Sequence, residues 1–313
     1  MKPNKHFIYT IATAIIFSLT LISCNDDVEN GNGSGASVRK LPSKVTTRSL
    51  TYGDTEVINF NYDSRNRLTE IVFESDGWSE RQVIEYDANG RISRINSIRP
   101  GNVTTLSFEY ISNTVIVTSN RDNAGTQILT LNANGQLTSA EWNWQGSGWR
   151  EREVATFTYS AGNLMRVLIN GFEESDWGSS SWEGVFNYTY STYLNIFRHA
   201  TSPDWLVSLF LGDFMGFLLF PPSRNMPSKV DAWGDEFAFT HDADSDGYVI
   251  SSLLTITWDD NWDEWSSNIE NYSTRHFSNR ENGVSTFKLR SNRAQASANS
   301  ERIMITYEYI LAQ

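Results

Sequence analysis

The residues best suited to bind a metal ion lie in one short segment, "THDADSDGYV". Asp242, Asp244, Asp246 and Gly247 form D-x-D-x-D-G, which is how a calcium loop of the EF-hand type begins. Such a loop also needs a bidentate glutamate at its twelfth position, and that position here is Leu253. The residues after the glycine alternate like a strand instead of opening a helix. We therefore predict a tight turn, with no metal and no other cofactor, and keep a metal site as the alternative.

Tryptophans beside carboxylates form a second combination with chemical potential, because an aromatic face and acidic hydrogen-bond acceptors commonly hold sugars. Such combinations occur in "QGSGWRE" (145–151), "EESDWGSSSW" (173–182) and "DDNWDEW" (259–265). The ligand would be a glycan or a protein surface. The alternative is that each indole folds back and seals the fold, since tryptophan is usually mostly buried. The predicted ligand-binding residues are Trp149, Trp177, Trp182, Trp262 and Trp265.

Signatures of catalysis are sparse in the sequence. Beyond the first 24 residues the histidines are His199, His241 and His276, and none has metal-ligand spacing. There is no G-x-S-x-G nucleophile elbow. Two loop carboxylates could act as the acid and base of a glycoside hydrolase. We favour a binding or interaction module over an enzyme, with such a hydrolase and a structural envelope protein without a small ligand as alternatives.

The elements that must position these residues are strands. Segments such as "VINFNYD" (57–63), "VATFTY" (154–159) and "RIMITYEY" (302–309) alternate apolar and polar residues with period two and are rich in β-branched and aromatic residues. We predict an all-β fold, a large antiparallel meander that is curved or closed into a barrel. One apolar helix interrupts it at 203–220, between a proline at its start and two prolines after its end. We expect this helix to be buried, with contact to a membrane surface as the alternative.

A repeated turn joins the predicted strands. Tyr62–Leu68 aligns with Tyr86–Ile92, and their Asp, Asn and Gly residues suit a tight hairpin. In the calcium-like segment, His241 and Asp242 would take the Tyr and Asp positions. We name the end of the strands that carries these turns the tyrosine end. Tryptophan falls in the alternate connections, at the opposite end, which we name the tryptophan end. Residues 259–265 also lie at the tryptophan end if the chain passes from one end of the strands to the other an even number of times between residues 191 and 227.

The N-terminal sequence predicts export and a lipid anchor. Basic residues precede an apolar run that ends in Leu-Ile-Ser-Cys, and Cys24 is the chain's one cysteine. We predict a signal peptide over 1–23, lipidation of Cys24, a flexible acidic tether over 24–44 and a single domain over 45–313. The protein would be anchored to the outer membrane, on the cell surface or alternatively on the periplasmic side. A net charge of −12 disfavours nucleic acid as a partner.

These features together resemble known families. The Tyr-Asp turns resemble the YD repeats of RHS-type proteins. The Leu-x-Ser-Cys box, the acidic tether, the hairpins and the apolar helix followed by "SRNMPSKV" (223–230) resemble a family of uncharacterised Bacteroidetes lipoproteins with a porin-like fold. The resemblance implies a curved or closed antiparallel β-structure and implies no activity.

Overall fold

The computed structural model describes residues 39–75, 77–121, 125–146, 148–176, 178–210, 213–257 and 300–313. These residues form a closed antiparallel barrel of sixteen strands, in which each strand pairs with its neighbours in the chain and β1 pairs with β16. The strands are β1 (Lys40–Ser49), β2 (Thr55–Tyr62), β3 (Leu68–Ser75), β4 (Trp78–Tyr86), β5 (Ile92–Arg99), β6 (Asn102–Ile111), β7 (Thr114–Ser119), β8 (Thr126–Leu131), β9 (Leu137–Gly146), β10 (Trp149–Ser160), β11 (Asn163–Ser175), β12 (Gly178–Leu194), β13 (Asn225–Ala232), β14 (Asp235–Ala243), β15 (Val249–Thr257) and β16 (Ser300–Leu311). The prediction of an all-β meander is confirmed, and the meander closes.

The period-two pattern explains which side chains fill the barrel. Successive side chains of a strand point to opposite faces of the sheet, so one set enters the interior and the other faces solvent. In β2, Ile58 and Phe60 are buried and point inward, whereas Asn59 between them points outward. The same alternation recurs in the other strands and gives one continuous apolar core.

The outer wall is polar and charged. Lys44 pairs with Glu308 at 2.8 Å on neighbouring strands, and Lys229 pairs with Glu236 at 2.7 Å. Arg81 and Glu70 form another such pair. A barrel that spans a membrane carries an apolar band on this outer surface instead. The described outer wall differs from such a band at the positions of these ion pairs. Separately, none of the described helices has the length and apolar character needed to cross a bilayer.

The Asp turns at the tyrosine end share one hydrogen-bond pattern. The Asp63 carboxylate accepts the backbone N–H groups of Arg65 and Arg67, at 2.8 and 3.0 Å. In the calcium-like segment Asp244 accepts the N–H groups of Asp246 and Tyr248 in the same way, at 3.0 and 2.9 Å. The Asp position therefore belongs to Asp244 and not to Asp242, which lies within β14. The other carboxylate oxygen of Asp244 accepts a hydrogen bond from Lys40 Nζ at 2.7 Å.

Inward side chains near the tyrosine end tie neighbouring strands together. The hydroxyl of Tyr62 donates to the backbone carbonyl of Pro42 at 2.9 Å, and that of Tyr309 donates to Val249 at 2.6 Å. His241 does the same with its ring, whose Nε2 lies 2.7 Å from the carbonyl oxygen of Pro227. His241 therefore keeps the role of the tyrosine that it replaces, although it stands three residues before the turn aspartate.

The apolar segment predicted as one helix over 203–220 forms two short helices among the described residues. They are α1 (Asp204–Phe210) and α2 (Asp213–Leu219). The Ser208 hydroxyl donates to the carbonyl of Phe220, although these residues would lie about 18 Å apart along one continuous helix. The two helices therefore pack side by side. Gly216 allows this contact, because an added Cβ there would lie 2.3 Å from the carbonyl oxygen of Ser208.

The helix pair packs into the barrel at the tyrosine end. The Phe217 ring lies 5.5 Å from the inward ring of Phe157, and Phe220 and Phe60 both contact Phe197, with centroids 5.6 and 5.2 Å apart. β12 ends and β13 begins at this end, so the segment between them returns without crossing the barrel.

The domain boundary differs slightly from the sequence prediction. Residues 40–44, predicted as tether, form the first half of β1, where Lys40 pairs with Leu311 and Lys44 with Glu308. The signal peptide, Cys24 and the rest of the predicted tether lie outside the described residues.

Candidate functional site

The described tryptophans of the predicted site lie at the tryptophan end. Trp149 begins β10, just after the β9–β10 connection, and Trp182 lies on β12 near the β11–β12 connection. Both are half-buried. Trp177, Trp262 and Trp265 lie outside the described residues. β15 runs towards the tryptophan end and finishes there at Thr257.

Each of these two indoles lies over a glycine on the neighbouring strand. Trp149 is the cross-strand partner of Gly146, and Trp182 is the partner of Gly171. A Cβ added at Gly146 would lie 2.1 Å from the Trp149 indole nitrogen, and one added at Gly171 would lie 2.0 Å from a ring carbon of Trp182. Glycine is therefore needed at both positions for the indole to lie flat against the inner wall. Trp233 repeats the arrangement over Gly184.

Carboxylates share the inner wall with these indoles. Trp149, Glu151 and Glu153 follow one another at every second residue of β10 and so face the same side as the buried Ala155. Glu151 is the cross-strand partner of Glu173 on β11. Glu151 and Glu153 are both buried.

Two further tryptophans, which sequence reasoning did not select, complete this wall. Trp142 and Trp144 on β9 are the cross-strand partners of Glu153 and Glu151. They lie within a strand and not in a connection, so a search of the connections could not find them. The period-two spacing of "WREREV" and "EWNWQG" was the available signal, since it sets indoles and carboxylates on one face. We call this surface the β9–β12 wall, made of Trp142, Trp144, Trp149, Glu151, Glu153, Glu173 and Trp182.

A second polar cluster lies on the inner side of β4–β7, also at the tryptophan end. The buried Glu80 carboxylate accepts hydrogen bonds from Ser97 Oγ at 2.7 Å, Gln82 Nε2 at 3.1 Å and Arg99 Nε at 2.5 Å. Arg121, just after β7, interacts electrostatically with Arg99 and Glu80, and burial together with the Arg99 charge lowers its pKa. We call these residues the β4–β7 cluster.

A third group of ionisable side chains lies where β16, β1 and β2 meet. Ser49 Oγ donates to the buried Glu301 carboxylate at 3.1 Å. Burial raises the pKa of Glu301, and burial together with the nearby charge of Asp54 raises the pKa of Glu56 to about 7. The carboxyl of Glu56 is therefore partly protonated at neutral pH.

The three groups show what the tryptophan end can do chemically. Its inner surface offers aromatic faces, hydrogen-bonding carboxyl groups and guanidinium groups, whereas the inner surface of the tyrosine end is largely apolar and packs against the helix pair. Among the described residues no set of three His, Cys, Asp or Glu side chains is placed to hold a metal ion. The arrangement suits reversible binding of a polar ligand that also has an apolar face.

Comparisons with known proteins give distant structural similarities. No family model matches the sequence, and no curated protein matches it. A porin-like protein from Bacteroides uniformis is similar in structure with 13% identity and a TM-score of 0.38, over 86% of this chain and 98% of that one. A porin-like protein from Bacteroides vulgatus is similar with 10% identity and a TM-score of 0.34, over 69% of this chain and 92% of that one. Similarities at this level assign neither a family nor a function, so membership of a lipoprotein family stays a prediction.

Proposed function

We propose that this protein is a lipid-anchored protein of the cell envelope that binds a saccharide at the tryptophan end of its barrel. The observation that carries the proposal is the β9–β12 wall, where indoles and carboxylates lie on one inner surface at the tryptophan end of the barrel. An indole face contacts the apolar C–H face of a sugar ring, and a carboxylate accepts hydrogen bonds from its hydroxyl groups. Trp149 and Trp182 are half-buried, so part of each indole remains accessible to a ligand.

The barrel itself supports attachment by a lipid and not by insertion. Its described outer wall carries ion pairs such as Lys44–Glu308, which would be costly in a bilayer. β1 begins at Lys40 at the tyrosine end, so a chain anchored at Cys24 would enter the barrel there. The tryptophan end would then face away from the membrane. Both the cell surface and the periplasmic side fit this arrangement.

Saccharide binding can be tested directly with the mature chain. We expect a glycan array to identify a ligand, and we expect Trp149→Ala and Trp182→Ala each to weaken its binding about tenfold in calorimetry, since each removes an aromatic face. Phe172→Ala is the matched control, because Phe172 is an exposed aromatic residue on the outer face of β11. Equal affinities of the tryptophan variants and the native chain would rule out the β9–β12 wall as the site.

The anchor is tested separately. Cys24→Ala should move the protein from the membrane fraction to the soluble fraction of a cell that expresses it, because the acyl chains would have no attachment site. A variant that stays in the membrane after extraction at high pH would contradict lipid anchoring and favour insertion of the barrel.

Glycoside hydrolysis is a second candidate, and one observation favours it. Glu151 and Glu173 are direct cross-strand partners on the inner face, although like charges placed opposite each other destabilise a sheet. A pair of neighbouring carboxyl groups is what a glycosidase uses as acid and nucleophile or base. Release of reducing sugar from the bound glycan, lost in both Glu151→Gln and Glu173→Gln, would establish hydrolysis. Binding without release would leave the protein a binding module.

A further inference from the structure

The height of the barrel changes beside the β9–β12 wall. β12 begins at Gly178, but its pairing with β13 begins only at Phe186, which is the cross-strand partner of Ala232. At about 3.3 Å per residue, β12 therefore extends about 26 Å beyond the turn that joins β13 to β14. This β13–β14 turn consists of Trp233 and Gly234, and the inner and outer surfaces of the barrel meet there.

Trp233 has an unusual backbone conformation. Its φ of 52° lies in the left-handed region, which bulky residues rarely adopt and which is often found at binding sites. The indole lies over Gly184, where an added Cβ would lie 2.5 Å from the indole nitrogen. The ring centroids of Trp233 and Phe186 are 4.6 Å apart. The turn therefore holds a half-buried aromatic ring in a fixed place at the edge of the barrel.

Three indoles that lie over glycines form an oblique row from the top of the β9–β12 wall to this turn. Neighbouring strands are about 4.8 Å apart, and each residue along a strand adds about 3.3 Å. The register therefore sets the indoles of Trp149 and Trp182 about 16 Å apart, and those of Trp182 and Trp233 about 8 Å apart. A sugar ring is similar in width to the six-membered ring of an indole, so a ligand that contacts all three consists of several linked rings.

A groove lies beside the β13–β14 turn, between β12 and β13. Its volume is about 340 Å³, which is typical of a small-molecule site, and Trp233, Val185, Asn187 and Glu183 are among the residues that line it. Asn187 and Glu183 are exposed, and their side chains make no hydrogen bond or ion pair with other described residues. An amide and a carboxylate are thus available for the hydroxyl groups of a sugar.

We propose that the saccharide-binding site continues from the β9–β12 wall across the β13–β14 turn into this groove, and that its ligand is a linear oligosaccharide and not a single sugar. This inference rests on the proposed saccharide-binding function and adds the length of the ligand. One unit contacts Trp182, another contacts Trp233, and a unit beyond the turn forms hydrogen bonds with Asn187 and Glu183. Gly234 has no side chain that would obstruct a chain passing over the turn.

The first arm of the test varies the length of the ligand. Linear oligomers of glucose, mannose, xylose and galactose, from the monosaccharide to the hexasaccharide, are titrated against the mature chain by calorimetry. We expect the hexasaccharide of at least one series to bind about a hundredfold more tightly than its monosaccharide, because additional rings contact additional indoles. A monosaccharide that binds as tightly as its hexasaccharide would overturn the inference and keep the saccharide function.

The second arm locates the additional units. Trp233→Ala should weaken hexasaccharide binding about tenfold. Because Trp233 also packs against Phe186, two variants on the exposed outer surface test the groove without altering the core. Glu183→Gln and Asn187→Ala should each weaken hexasaccharide binding about fivefold, since each changes a hydrogen-bonding group. Glu109→Gln is the matched control, because Glu109 is an exposed glutamate on the outer face of β6.

The two proposals fail in different ways. Hexasaccharide binding that is lost in Trp182→Ala but unchanged in Trp233→Ala, Glu183→Gln and Asn187→Ala would keep the saccharide function and reject the extended site. If the native chain binds neither these oligomers nor any glycan on the array, the saccharide function and the extended site are rejected together.

Discussion

The two ends of the barrel use the same strands for opposite purposes. At the tyrosine end the inward side chains are mostly apolar or aromatic, tyrosine hydroxyl groups donate to strand carbonyls, and a helix pair packs against the interior. At the tryptophan end the inward side chains include buried glutamates and half-buried arginines, and indoles lie over glycines. An apolar interior stabilises a fold, whereas buried charges cost free energy unless they are paired. This difference predicts that the tyrosine end contributes most of the stability, and it agrees with the proposal that the tryptophan end binds a ligand.

The largest expected effect is the loss of a core side chain at the tyrosine end. Phe60→Ala should reduce the free energy of unfolding by about 3–5 kcal/mol, because it leaves a cavity beside the ring of Phe197. Phe172→Ala on the outer wall should change it by less than about 1 kcal/mol. Denaturation in urea measures both. A small loss for Phe60→Ala would mean that stability does not reside mainly at the tyrosine end.

Two glycines allow the ends to be compared with the same substitution. Gly216→Ala places a Cβ against the backbone of α1, which cannot move without separating the helix pair, and should cost about 3 kcal/mol. Gly171→Ala meets the indole of Trp182, which can swing aside, and should cost about 1 kcal/mol. The second variant should also change tryptophan fluorescence and weaken ligand binding. If the two losses are equal, the indole is held as firmly as the backbone.

The raised pKa of Glu56 makes the tryptophan end sensitive to pH. Its value is about 7 in the folded state and 4.5 ordinarily, so the folded chain holds a proton that the unfolded chain loses, and stability falls as pH rises from about 4.5 to 7. Glu56→Gln should therefore be about 1–2 kcal/mol more stable than the native chain at pH 8, after allowance for solvent screening, and equally stable near pH 4. Urea denaturation at both pH values, with the exposed Glu74→Gln as control, measures this. A constant difference across pH would show that Glu56 does not titrate in this range.

The smallest expected effect concerns the tyrosine hydroxyl groups. Tyr309→Phe should cost about 1 kcal/mol, because it leaves the Val249 carbonyl without its side-chain donor. Tyr159→Phe should be neutral or slightly stabilising, since the buried Tyr159 hydroxyl has no hydrogen-bond partner among the described residues. Thermal unfolding of the two variants gives the comparison. Equal losses would indicate that the hydroxyl bonds do not tie the strands together.

The sequence predicted the strands and turns because those signals are local. A period-two alternation such as that around Phe60 predicts which side chains will be buried. The Asp of a hairpin turn accepts hydrogen bonds from backbone N–H groups only two to four residues away. The placement of tryptophan at one end of the strands can likewise be predicted locally, because alternate connections of an antiparallel meander lie at the same end. The turn aspartate is Asp244 and not the predicted Asp242, because a strand that is longer by two residues preserves the alternation and shifts the turn.

Only the tertiary structure decided the features that depend on contacts between residues far apart in the sequence. A run of apolar residues over 203–220 does not specify whether the chain reverses, and here the contact between Gly216 and the Ser208 carbonyl belongs to a packed pair of helices. Closure of the barrel depends on β1 meeting β16, whose residues stand some 260 positions apart in the chain. The β9–β12 wall and the β4–β7 cluster arise because cross-strand register sets side chains from different strands on one inner face. The register depends on strand pairing around the whole barrel, so the sequence near Glu80, Arg99 or Arg121 does not determine it.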